Sequence, residues 1–187
     1  STDAVANYTS GGGSSTLIFS YIVASGNSSN DLDYTSDSAL TLNGGTIMDA
    51  AGSSAHLTLA APGVPGSLAA NKTLYIDGIL PVVTSISSNA LDTTYIIADT
   101  IGITVTLNEA VTVTGTPQLT METGNTDTAI NYITGTGTNV LTFNYIVAAG
   151  ENNSDLDYKD TTALALNSGT IVDAVGNSAI LTLAAPG

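Results

Sequence analysis

The 187-residue chain carries sixteen Asp and Glu against two Lys, a formal charge of -14, so a polyanionic partner such as nucleic acid is repelled. It has no cysteine, which excludes disulfides, zinc-thiolate sites and thiol nucleophiles. No run of eighteen apolar residues occurs and no charged leader precedes a hydrophobic stretch, so this segment shows no membrane span or signal peptide, and any export signal lies elsewhere.

Val, Ile, Leu and Tyr fill the apolar positions, while Gly, Ser, Thr, Asn and Asp fill the intervals, the palette of strands joined by turns. In chain order, the first strand is expected where Leu17, Phe19, Tyr21 and Val23 share one face. Further strands are expected at residues 55–59 and 73–77. The string Ile76-Asp77-Gly78-Ile79-Leu80-Pro81 then reads as a junction, with Gly for a turn and Pro to stop a ladder. Beyond it come residues 82–87 and a long alternating run in which Ile101, Ile103, Val105 and Leu107 share a face. Residues 111–113, 118–121, 139–147 and 179–183 complete the set, at the short spacing of a sandwich. No helix is expected, because helix-favouring Glu, Lys, Arg and Gln are scarce.

Internal duplication organises the chain. Laying Asp3 on Asp127 sets an offset of 124, and the match runs without a gap over residues 3–63 and 127–187, with 35 identities in 61 pairs. FSYIVASG faces FNYIVAAG, DLDY faces DLDY, ALTLNGGTIMDAAG faces ALALNSGTIVDAVG, and LTLAAPG faces LTLAAPG. The repeat is therefore 124 residues long. With the boundary at the Gly78 junction, residues 1–78 read as the C-terminal part of one repeat. Residues 79–187 read as the next, lacking the counterpart of residues 67–77 and so its last strand.

Taken in combination, DGILPVVTSISS, DTIGITVTLNEAVTVTGTPQLT, NYITGTGTNVLTFNYIVAAG, DLDY, ALALNSGTIVDAVGN and LTLAAPG resemble the bacterial Ig-like tandem repeats of very large cell-surface proteins. These include the flagellar-system or swimming-associated type. The resemblance covers essentially the whole chain. It implies an all-β fold of Ig-like β-sandwich repeats in a stalk, adhesin or surface-layer component, outside the cell, and it identifies no ligand.

Calcium is the cofactor to consider, because acidic side chains at turns supply the oxygen ligands and flexible geometry that this cation takes. Asp31 and Asp33 in the first copy, and Asp155 and Asp157 in the second, alternate along extended DLD segments, so each pair can converge on one ion. Asp77, Asp99, Glu109 and Asp173 form a second candidate set at the module junction. The competing reading is that these acids cap turns through their own backbone. The twelve-residue EF-hand loop is absent. Replacement of Asn177 by Ser53 in the other copy favours a turn role there.

Enzymatic activity is not expected. His56, the single histidine, falls on the polar side of its strand, so the many serines have no base. Glu109, Glu122 and Glu151 sit in turn-like strings, and with no Trp there is no indole platform for sugar stacking. Lys72, expected in a strand, and Lys159, which faces Thr35 in the other copy, are not a repeated pair of the kind that isopeptide cross-links use. Tyr8, Tyr21, Tyr132 and Tyr145 occupy matching positions as core or rim aromatics. The expected function is a structural spacer, with neighbouring repeats or other copies of itself as partners. The alternatives are a filament subunit assembled by cross-chain strand complementation and a module binding surface glycans.

Overall fold

In a computed structural model that describes residues 3–187, the chain divides between Ile79 and Leu80 into two units, and all its regular elements but one are strands. The first unit holds β1 (Asn7–Ser10) and β2 (Ile18–Ser20), an antiparallel hairpin that sets Tyr8 opposite Phe19. It also holds β3 (Ser28–Ser29), a single helical turn α1 (Leu68–Asn71), and β4 (Ile76–Asp77), which pairs antiparallel with β3. The turn α1 exists because Ser67 caps it, its hydroxyl accepting from the Ala70 amide. Lys72 closes that turn by donating its amide to the Leu68 carbonyl, so the expectation of a strand around Lys72 is corrected. Of residues 73–77, only Ile76 and Asp77 form a strand.

The second unit holds β5 (Val83–Ser88), β6 (Thr100–Thr114), β7 (Gln118–Glu122), β8 (Thr128–Thr134), β9 (Thr138–Ile146), β10 (Asp157–Tyr158), β11 (Leu164–Ala165) and β12 (Thr170–Val172). They make one antiparallel sheet ordered β10-β7-β8-β9-β6-β12, with β11 also on β7 and β5 also on β6. Two strands change partners along their length, which curls the sheet around a single core. The first half of β6 pairs with β5 and β9, and its last residues pair with β12. Likewise β8 begins on β7 and ends on β9.

Alternation decides what goes inside. Ile101, Ile103, Val105 and Leu107 are buried from β6, and Leu141, Phe143 and Tyr145 from β9, in the phase their sequence spacing predicts. Leu119 and Met121 from β7, Ile130 from β8 and Ile171 from β12 close the core. The result is an all-β, sandwich-like fold.

Residues 55–59 and 179–183, expected as strands, make only isolated contacts. Ile180 bridges Val82, and Ser54 and Ser178 bridge Met48 and Val172. The apolar residues Leu57, Leu59, Leu181 and Leu183 turn inward, but the Leu59 and Leu183 amides go to the Asp37 and Thr161 carbonyls, outside any named strand. His56 is exposed. Among the described residues, no helix is long and apolar enough to cross a membrane.

Candidate functional site

The acidic turns are the chemistry-bearing candidates, and backbone amides engage the carboxylates of Asp31, Asp33, Asp77, Asp99, Asp157 and Asp173. In the first unit, Asp33 accepts from the Tyr34 amide at 2.9 Å and from the Gly63 amide at 3.0 Å, while the Tyr34 hydroxyl donates to the Ala60 carbonyl at 2.6 Å. The second unit repeats this clasp: Asp157 accepts from Tyr158 at 2.8 Å and Gly187 at 3.1 Å, and the Tyr158 hydroxyl donates to Ala184 at 3.1 Å. The DLDY and LTLAAPG strings agree between the copies because each is the other's binding partner. An Asp and a Tyr from one segment hold the end of the other.

Asp31 accepts from a different segment than Asp33 does. Its carboxylate accepts from the Leu74 amide at 3.2 Å, so the two acids of that DLD serve two different segments. Asp155 receives support through its own amide, which donates to Asn153 Oδ1 at 3.0 Å. Asp77 accepts from the Ile79 amide at 3.1 Å, Asp99 from the Ile96 amide at 2.8 Å, and Glu109 from the Asn108 side chain at 3.5 Å.

Asp173 is the most enclosed of the eight. It is buried, and its Oδ1 accepts from the amides of Val175, Gly176 and Asn177 at 2.9, 2.7 and 2.8 Å, while Asn177 Nδ2 reaches Oδ2 at 2.8 Å. Burial acts to raise its pKa, but these donors outweigh it and hold the carboxyl below its ordinary value. Asp49 builds the same cage in the first unit from Ala51 and Ser53 at 2.9 and 2.8 Å, with its pKa also lowered, chiefly by the Ser53 amide. The Ser53-for-Asn177 exchange is tolerated because the main contact at that position comes from the backbone.

A third device was missed from the sequence. Glu151 Oε2 accepts from the Tyr145 hydroxyl at 2.8 Å and the Ala148 amide at 2.6 Å, and Oε1 accepts from the Thr128 hydroxyl. Burial and the bond to Glu151 push the Tyr145 phenol up to about 12. Burial acts to raise the Glu151 pKa, yet the bonds from Thr128, Ala148 and Tyr145 bring it below its ordinary value. The counterpart is Asn27, whose Oδ1 accepts from Tyr21 at 3.0 Å and Ala24 at 2.8 Å. Glu and Asn look unlike as letters, but each puts one oxygen in the same place. The recurring Tyr-Ile-Val-Ala just ahead of both was the available signal.

Lys159 pairs with Asp127 at 2.8 Å on the surface, the kind of contact that contributes little to stability. Among the described residues, no group of three or more His, Asp or Glu is arranged to hold a metal ion. The contacts describe an all-β repeat module whose polar side chains tie its own loops. Compared with known proteins, the chain matches no family model, no curated protein and no solved structure.

Proposed function

We propose that this chain is a spacer segment of a large extracellular surface protein, built of tandem Ig-like modules whose work is to supply length and mechanical resistance. One observation carries the reading: residues that recur between the copies tie the same loops in both. Asp33 and Asp157, Tyr34 and Tyr158, Asp49 and Asp173, and Tyr21 and Tyr145 make the same contacts 124 positions apart. Duplication that preserves these clasps is what selection for a repeated scaffold leaves behind. The acidic, cysteine-free composition suits an extracellular location, where solubility rests on surface charge and hydroxyls.

Single-molecule pulling on the full chain tests this. The second unit, Leu80–Gly187, is expected to unfold in one force peak that releases on the order of 35–40 nm, from its residue count at about 3.6 Å per residue. Extension without a resolved peak refutes the mechanical reading. Calcium stiffening is tested in the same experiment. The cation raises the peak force if the acidic pairs take it up, and chelator has no effect if backbone amides are their only partners. Saturable binding on a glycan array would replace the spacer reading with the carbohydrate-binding one.

A further inference from the structure

The two copies share sequence but not burial. Leu141 and Phe143 are 0% exposed and Tyr145 4%, whereas their counterparts Leu17 and Tyr21 are half-buried and Phe19 is 40% exposed. The same holds for Leu40 and Ile47, which remain half-buried where Leu164 and Ile171 are at 4% and 2%. In the first unit, among the described residues, only Ser67 and Gly78 are buried. The hairpin geometry itself is retained, since Tyr8 meets Phe19 edge-on at 6.0 Å and 70°, as Tyr132 meets Phe143 at 6.0 Å and 73°. What differs is the cover.

In the second unit that cover is residues 80–126. From this segment β6 pairs along β9, with Ile101 on Tyr145, Ile103 on Phe143 and Val105 on Leu141. The segment also supplies β7, to which β10 and β11 attach. Among the described residues of the first unit, β2 is paired on one side only, by β1, in a two-stranded sheet. The counterparts of β10 and β11, residues 33–34 and 40–41, are not strands there. A lone hairpin of this kind is marginal in water.

We infer that Leu17, Phe19, Tyr21, Leu40 and Ile47, whose counterparts share one core, accept a β-segment of the residues 80–126 type in cis, in the register that β6 adopts on β9. The 35 identities over 61 pairs identify the occupant, because the acceptor residues are the ones this segment already covers 124 positions along. This goes beyond the spacer reading and stands whether or not that reading holds.

The test adds a second copy of residues 80–126 directly ahead of Asp3 in the full chain, since Thr126 runs directly into Asp127, the counterpart of Asp3. Hydrogen exchange of the amides at residues 16–22 is expected to slow by on the order of 100-fold or more, toward the rate of residues 140–146, and binding of a hydrophobic dye is expected to fall. The same extension carrying Val105→Asp and Leu119→Asp in the added copy only is expected to give no slowing. The amides of residues 140–146 show in each sample that the second unit remains folded. Three results overturn the inference. One is unchanged exchange at residues 16–22 with the unaltered extension. Another is equal slowing by the charged extension. The third is slowing in the unextended chain that grows with concentration alongside a doubled mass, which makes a second copy the occupant.

Discussion

Truncating one phenylalanine in each copy measures how differently two near-identical sequences are packed. Phe143 is fully buried and meets Ile103 across the β6–β9 ladder and Tyr132 edge-on. Phe143→Ala removes its transfer free energy and leaves a cavity, for which about 3–5 kcal/mol is the usual loss. Phe19 keeps 40% exposure, so it realises roughly 60% of the about 1.5–3 kcal/mol that full burial contributes, and an open face leaves no cavity to add. Phe19→Ala is therefore expected to cost about 1–2 kcal/mol. A loss of about 4 kcal/mol lowers the Tm of a unit this size by on the order of 20 °C. The assay is thermal and urea unfolding of the full chain, followed by far-ultraviolet circular dichroism, with hydrogen exchange assigning each transition to its unit. Equal losses from the two substitutions would refute the burial contrast, and with it the acceptor role of Phe19.

Three further outcomes follow from the polar devices and one turn. Asp173→Ala removes a buried carboxylate that three backbone amides share and is expected to destabilise the second unit by about 1–3 kcal/mol, read by urea unfolding, with Asp173→Asn intermediate. Because the folded pKa of Asp173 lies below its ordinary 3.8, its contribution is complete above that value and is lost as pH falls through the lower folded value. An acid titration of Tm is accordingly expected to drop more steeply below about pH 4 in the parent than in Asp173→Asn. Gly135 has φ 120, and a Cβ there would lie 2.1 Å from the Val140 carbonyl oxygen, so Gly135→Ala is expected to cost at least about 2–3 kcal/mol. Gly137, at φ 81 with open space around it, is expected to lose only about 1–2 kcal/mol as Ala, and the pair separates a clash from backbone strain in one melting series.

The strands of the second unit's core were legible because period-two alternation and burial carry the same information. Ile101, Ile103, Val105 and Leu107 announce both a strand and its inner face. The duplication was legible for the same reason that the two clasps exist: both ends of each contact recur. Residues 179–183 misled because Leu181 and Leu183 alternate like a strand, yet Ile180 has only one bridge to Val82. Alternation reports which side chains turn inward, not whether a neighbouring backbone is within reach. The acidic residues were legible as turn formers or ligands but not as one of the two. That choice depends on which amides come within 3 Å of Asp33 or Asp173, and those belong to the tertiary fold. Composition gives no warning that Phe19 and Phe143 differ in exposure, since their local sequences agree and only their cover does not.

The Glu151 and Asn27 knots hold the same loop with different chemistry. Asn27 has no proton to gain, so its grip on Tyr21 and Ala24 is indifferent to acid. Glu151 holds Thr128, Ala148 and Tyr145 most tightly as a carboxylate, an advantage complete above its ordinary 4.5 and lost as pH falls through its lower folded value. A single position thus gives the second unit an acid-sensitive tie where the first has an acid-indifferent one. The same loop is therefore held through acid in one copy and loosened by it in the other.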